Sequence, residues 1–190
     1  MIWKFTDNKS RDSIEQQFDW ARNMNEVPQD KLYHAEGNVA VHIWKVIEEL
    51  QQLPAYSDLG GQDKEILWTA ALLHDVEKRS ATVVESDGRI TARGHARKGE
   101  YTVRTLLYRD LPTPFAIREK IASLVRFHGL PLWLMEKTDP VRKIAEVAFR
   151  LDTSQLRMLA EADIRGRICQ DREELLESIK REGIVLYEKI

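Results

Sequence analysis

Residues 64–79 read KEILWTAALLHDVEKR, and the centre of this stretch is apolar nearly all round until it meets His74 and Asp75. A helix at a protein surface shows one apolar stripe, whereas a helix apolar on every side belongs inside the core. The segment therefore predicts a deeply buried helix over about 64–79, capped by Asp63. Its His-Asp pair follows Leu67, Ala70 and Ala71, where further apolar residues are expected. That conflict between position and chemistry is the first pointer to a site.

Outward from this helix, the chain reads as helix after helix. Residues 10–24 are weakly amphipathic, with Phe18 and Trp20. A stronger helix spans about 36–53, with Val39, Ile43, Val46 and Leu50 at helical spacing and Pro54 at its end. After the central helix, TVVESDGRITA places two short β-favouring arms around Asp87-Gly88, which predicts a hairpin. Helices resume over about 94–110, 114–129, 140–152, 154–168 and 171–187, bounded by Pro112, Pro114, Gly129, Pro131, Pro140 and Asp152. The expectation is an all-α bundle with a small β-hairpin insertion. It forms one domain, with a core over about 34–168 and a C-terminal helix over 171–187. The apolar end, GIVLYEKI, either packs back on the bundle or leads towards a further domain.

Composition narrows the class. With 190 residues, 43% hydrophobic and 32% charged, the chain can bury one sizeable core. No apolar run approaches the roughly 20 residues that cross a bilayer, and the N-terminal stretch has no apolar signal region. The lone Cys169 suits a reducing cytosol, so a cytoplasmic location is expected. A net charge of -2, from 29 basic and 31 acidic residues, argues against gripping long duplexes through many phosphates. It leaves room for a nucleotide or a strand end.

The five histidines are His34, His42, His74, His95 and His128. Any one alone would read as an ordinary hydrogen-bonded histidine. Their positions alter that. His42 lies on the stripe of Val39, Val46 and Leu50, and His128 continues Ile117, Ile121, Leu124 and Val125. Asp163 continues Leu156, Leu159 and Ala160. A bare buried carboxylate costs several kcal/mol unless it is paired or bound to metal. With no Lys or Arg on the same stripes, a divalent metal is the expected partner. Imidazole nitrogen with carboxylate oxygen suits Mn, Co, Ni, Fe or Zn. Adjacent helical residues diverge by about 100°, so His74 and Asp75 share a centre only if it lies between them. A bridging Asp75 would then reach a second ion beside His95 and His128.

At these residues the chain resembles the HD superfamily of helical, metal-dependent phosphohydrolases: His42, then His74-Asp75 in ALLHDVEK, and Asp163 in LAEADIRGR. His95 in ARGHARKGE and His128 in VRFHGLP match the two extra histidines of the family's dinuclear subgroup. The resemblance implies a first metal held by His42, His74, Asp75 and Asp163, and a second by Asp75, His95 and His128. More locally, YHAEGNVAVH, VRFHGLPLWLMEK and EADIRGRICQD resemble the HD domain of bacterial end-healing enzymes. They are also similar to the HD region of bacterial tRNA nucleotidyltransferases. The end-healing resemblance implies hydrolysis of 2′,3′-cyclic phosphate, 2′-phosphate or 3′-phosphate at RNA or DNA ends, as in RNA repair. In that family a polynucleotide kinase domain follows the HD domain. Here no GxxxxGK[ST] loop occurs, so the chain would be the phosphoesterase half, either separate or excised.

Around these ligands stand candidate catalytic and substrate-binding groups. Lys78 follows His74 by four residues and is a candidate for contacting phosphate or the leaving group, against the simpler reading of a solvent-facing charge. The superfamily often has a Lys there, although Glu77 stands where a Gly is common. Arg167 shares a face with Asp163 and could fork onto phosphate. Arg165, Arg97 and Lys98 are second-rank substrate contacts. His34 is either a proton donor or phosphate contact at the cavity mouth, or a surface histidine. Asp139 and Glu36 read as helix caps, and Trp44, Trp68 and Trp133 as core or cleft wall. Rival functions are hydrolysis of free or cyclic nucleotides, a non-catalytic nucleotide-binding regulatory module and a purely structural adaptor.

Overall fold

Eight successive residues of the central helix, from Ile66 to Leu73, are buried. The structure, a computed structural model, describes residues 1–187 and the side chains of 1–180. In chain order its helices are α1 (Arg11–Gln17), α2 (Asp19–Asn23), α3 (Val39–Gln52), α4 (Pro54–Ser57), α5 (Gly61–Leu73) and α6 (Lys78–Ala81). They continue as α7 (His95–Arg109), α8 (Phe115–Phe127), α9 (Pro140–Ala148), α10 (Thr153–Gly166) and α11 (Arg172–Tyr187). The hairpin pairs β1 (Val83–Val84) antiparallel to β2 (Ile90–Thr91), and Gly88 in its turn has φ 84°. The all-α class with one hairpin is the architecture found.

Helix boundaries differ from the sequence reading where local chemistry decides them. The stretch 10–24 breaks at Phe18, which is extended at φ -129° and ψ 111°. Gly60, not Asp63, occupies the start of α5, and Asp63 lies in its first turn, where a carboxylate complements the helix dipole. The expected helix over 64–79 divides in two. After Leu73 the backbone tightens, with Val76 N–H donating to Leu73 and Lys78 N–H to Asp75. His74 and Asp75 therefore stand on a turn rather than on the helix. Asp139 and Asp152 are helix caps, accepting from the N–H groups of Arg142 and Ser154.

α5 is the hub, in contact with α3, α8 and α10, while α7 lies along α8 and α10 along α3. The α3–α10 approach is close because residue 166 is glycine. A Cβ there would lie 3.0 Å from the backbone nitrogen of Val46 and 2.9 Å from its Cγ2. α11 packs Leu176 and Ile179 on Ala160 and Ile164 of α10; the apolar run 183–190 lies outside the residues whose side chains are described. Asp30, in the loop before α3, accepts a hydrogen bond from the N–H of Ile90 at 3.0 Å and so fastens the hairpin against that loop. Among the described residues no helix is long and apolar enough to cross a membrane.

Candidate metal centre

The last turns of α5 and α8 each leave carbonyls without an intrahelical donor. His74 and His128 are the residues that end these helices. Each directs Nδ1 onto the carbonyl three residues back, Ala71 at 2.7 Å and Val125 at 2.8 Å. His95, at the start of α7, does the same to Ala92 at 2.7 Å. A carbonyl can only accept, so each Nδ1 carries a proton, and in the neutral ring each Nε2 keeps a lone pair. Three Nε2 atoms thereby point inward with their tautomer fixed by backbone.

They meet at Asp75. Its Oδ2 lies 3.2 Å from Nε2 of His74 and 3.8 Å from Nε2 of His42. Its Oδ1 lies 3.1 Å from Nε2 of His95 and 3.8 Å from Nε2 of His128. Asp163, from α10, places Oδ1 3.0 Å from Nε2 of His42. Two overlapping donor groups result, His42–His74–Asp75 and Asp75–His95–His128, each compact enough to hold an ion. Nε2 of His74 and Oδ1 of Asp75 are buried without a hydrogen-bond partner in good geometry. Buried polar atoms left this way call for a partner such as a water or an ion, and nitrogen and oxygen donors at such spacing fit a divalent transition metal.

The surroundings correct one expectation. Asp75 and Asp163 do have buried cationic partners, Lys78 and Arg167. Lys78 reaches back so that Nζ lies 2.8 Å from Oδ2 of Asp75 and 2.7 Å from Oε1 of Gln29. It is buried, not a solvent-facing charge. Arg167 is forked onto Asp163, Nε to Oδ1 at 3.2 Å and Nη2 to Oδ2 at 2.6 Å, so the fork expected for phosphate is engaged by a carboxylate. Both pairs are local, at i,i+3 and i,i+4 spacing, and fall where α5 has given way to a turn and where α10 ends. Charge balance alone therefore does not demand a metal. The convergence of the donors is what fits one.

Glu36 is the functional residue the sequence reading misplaced. Asn38, not Glu36, caps α3 by accepting from the N–H of Val41. The Glu36 carboxylate is fully buried, 2.7 Å from Nδ1 of His34 and 2.9 Å from Nδ1 of His42, and it accepts from the N–H of Ile168 at 2.8 Å. It thus ties the first site helix to the end of α10. Only the three-dimensional approach of residues 36 and 168 reveals this.

Burial pushes the Asp75 carboxyl up, but His74 and Lys78 outweigh it and hold it well below the usual range. Burial likewise opposes ionisation of Asp163, and Arg167 with His42 reverses that. Glu36 is also pushed up by burial, yet its bonds to His34 and His42 carry it well below an ordinary carboxylate. His34 is lowered to about 4, mainly by burial and only partly offset by Glu36. His128 is lowered to about 3 by burial and by the neighbouring His74 and His95. Burial pushes His74 down, but Asp75 and Asp163 outweigh it and raise it, so an ion bound there would displace a proton from that ring, since ligation requires charged carboxylates and neutral imidazoles.

A cavity of about 590 Å³ opens beside this cluster, and His34, Lys78, Arg93, His95, Arg167 and Trp133 are among its walls. Its size is in the range of small-molecule sites. The hairpin contributes Ile90, and Arg93 follows it, which gives the insertion a role as cavity wall. Arg97 and Lys98 are exposed and not among the lining residues, and Lys98 reaches only the carbonyl of Ser80 at 3.5 Å. Arg165 is occupied with Glu161 of its own helix, at 3.0 and 2.8 Å. Trp68 is core, Trp44 packs against it, and Trp133 is cleft wall. Arg93 was missed because it follows the hairpin without any periodic signal.

Among curated proteins, none matches the chain. The family model described as HD domain matches residues 39–164, which takes in all six metal-site candidates. Membership implies a metal-dependent phosphohydrolase. With its convergent histidines and aspartates held on a helical bundle, this chain belongs to the HD domain family.

Proposed function

We propose that this protein hydrolyses 2′,3′-cyclic phosphate, 2′-phosphate or 3′-phosphate at the ends of RNA or DNA. The observation that carries the phosphoester chemistry is Asp75, whose two oxygens face two separate sets of histidine Nε2 atoms at 3.1 to 3.8 Å. In this reading His42, His74, Asp75 and Asp163 hold one ion, and Asp75, His95 and His128 a second. Mn, Co, Ni, Fe and Zn all suit these donors. Bound divalent ions acidify water and neutralise charge on phosphate. Strand ends, rather than free nucleotides, are supported by the local resemblance around His34, His128 and Asp163 to end-healing enzymes.

The chain's own groups then divide the work. Lys78 lies at the cavity wall with its ammonium held by Asp75 and Gln29. From there it can swing to a phosphoryl oxygen or to the departing alkoxide. Arg167 keeps Asp163 ionised and adds positive charge to the same wall. His34 is neutral near pH 7 and gives its Nδ1–H to Glu36. Its Nε2 is then an acceptor, suited to orienting a ribose hydroxyl or a water rather than donating a proton.

The test is hydrolysis by metal-loaded protein of RNA bearing a 2′,3′-cyclic phosphate, compared with a panel of free and cyclic nucleotides. Turnover of the RNA end is expected, with loss in the His74→Ala/Asp75→Ala double variant. Activity confined to free nucleotides overturns the end-healing reading, and turnover surviving the double variant overturns the site.

A further inference from the structure

A second cavity, of about 350 Å³, adjoins the first and shares His95 and Trp133 with it. Its distinguishing walls are Arg126, Phe127, Leu130, Lys137 and Lys143, with His128 at the side nearest the donor cluster. Three cations line it and no carboxylate does. Arg126 and Lys143 stand over the ring of Phe127 at 5.4 and 5.7 Å, as does Arg150 at 5.0 Å. The ring's negative face offsets part of the repulsion among them. Glu100 lies behind, 3.4 Å from Arg126 and 2.6 Å from Arg150, while Lys143 touches Glu146 at 3.2 Å. Lys137 makes no ion pair among the described residues.

We propose that this second cavity is a subsite for a phosphodiester of single-stranded nucleic acid, one linkage in from the reacting end. The inference rests on the nucleic-acid-end reading above and deepens it. A terminal phosphate near Asp75 leaves the rest of a strand two ways out of the donor cluster, since His95 borders both cavities. The cavity beyond His128 supplies the positive charge that an internal phosphodiester needs, with Lys137 making no ion pair among the described residues. Trp133, half exposed at 50%, stands between the two cavities, where a base can stack on it. A mononucleotide would use the first cavity alone. The ligand class is therefore a short single strand, and affinity should grow when a second phosphate is added.

The experiment measures binding rather than turnover, so it separates this subsite from the proposed reaction. Fluorescence anisotropy is followed for a labelled hexanucleotide and a labelled mononucleoside, each ending in a non-hydrolysable 3′-phosphate mimic (a methylenephosphonate), on the metal-loaded chain. The Lys137→Ala/Lys143→Ala variant is compared with Lys4→Ala/Arg22→Ala, which removes equal charge from a distant exposed surface. The hexanucleotide should bind at least about tenfold more tightly than the mononucleoside phosphate. That advantage should be lost in the cavity variant and kept in the distant one. The slope of log affinity against log salt should shrink by about 0.7 for the one phosphate released. Equal affinity for the two ligands, or an advantage that survives the cavity variant, overturns the subsite. Failure to hydrolyse any strand end, with this binding pattern intact, would instead count against the proposed reaction.

Discussion

The ammonium of Lys78 lies 2.8 Å from Oδ2 of Asp75, the same oxygen that stands 3.2 Å from Nε2 of His74. A side-chain cation and any metal at His74 therefore draw on one carboxylate oxygen. Lys78→Met would leave Asp75 buried without its partner, and breaking such a pair costs about 3–5 kcal/mol. The chelated protein should melt well below the parent. Added Mn should restore more stability to the variant than to the parent, because the competing charge is gone. Thermal denaturation with and without metal measures both; an unchanged metal-induced rise would contradict the competition.

Asp75 faces both donor groups, so substitutions should sort by the ion they remove. Asp75→Ala is expected to lose both ions. His95→Ala should retain one ion, and His42→Ala should retain the other. Elemental analysis after purification with limiting metal gives the count directly, and equal occupancy in all three variants would refute a bridging Asp75.

Glu36→Gln keeps the shape of a buried group but removes the charge that faces His34 and His42. Partners of this outer kind are worth about 10–100-fold in metal affinity or activity. Metal titration of the variant should show weakening in that range. Parent-like affinity would mean that Glu36 serves only to hold residues 34–36 against Ile168.

Gly166→Ala inserts a methyl group 3.0 Å from the backbone nitrogen of Val46, where a backbone cannot give way. Overpacking of this sort costs about 1–3 kcal/mol. α10 would be pushed from α3, and the 3.0 Å contact of Asp163 with His42 would lengthen. The melting temperature and the metal affinity should fall together. A fall in stability alone would show that the helices separate without disturbing the site.

His34 has a native pKa of about 4, below the ordinary histidine value of 6.5. Between those values the unfolded chain binds the extra proton and the native state does not. Stability from this group is therefore complete above about pH 6.5 and is lost as pH falls towards 4. Chelated protein should lose stability over that window, and His34→Gln should flatten the slope. A profile equally steep in the variant would assign the acid sensitivity elsewhere.

How much was legible beforehand follows from range. Apolar periodicity acts over one helix, so α3, α5, α8 and α10, the hairpin turn at Asp87-Gly88 and the polar intruders His42, His74, Asp75, His128 and Asp163 could all be read from spacing. Pairing across the fold could not. Lys78 and Arg167 were legible at helical spacing as neighbours of the site, but not that Asp75 and Asp163 would occupy their charges. Glu36 meets Ile168 across 132 residues of chain. Arg97, Lys98 and Arg165 follow the local charge pattern as plausibly as Arg93, yet Arg93 alone of these four lines the first cavity.

The sequence by itself determined that a helical bundle forms and that imidazoles and carboxylates are placed on its buried faces, because burial patterns are written at the period of a single element. Tertiary structure decided which oxygen of Asp75 faces which histidine, which nitrogen of each ring keeps its lone pair, and which cations border the cavities. Those are properties of helix ends and of contacts between distant segments. They are fixed only once the backbone carbonyls of Ala71, Ala92 and Val125 have taken the Nδ1 protons and the close passage of α10 over α3 has brought Asp163 to His42.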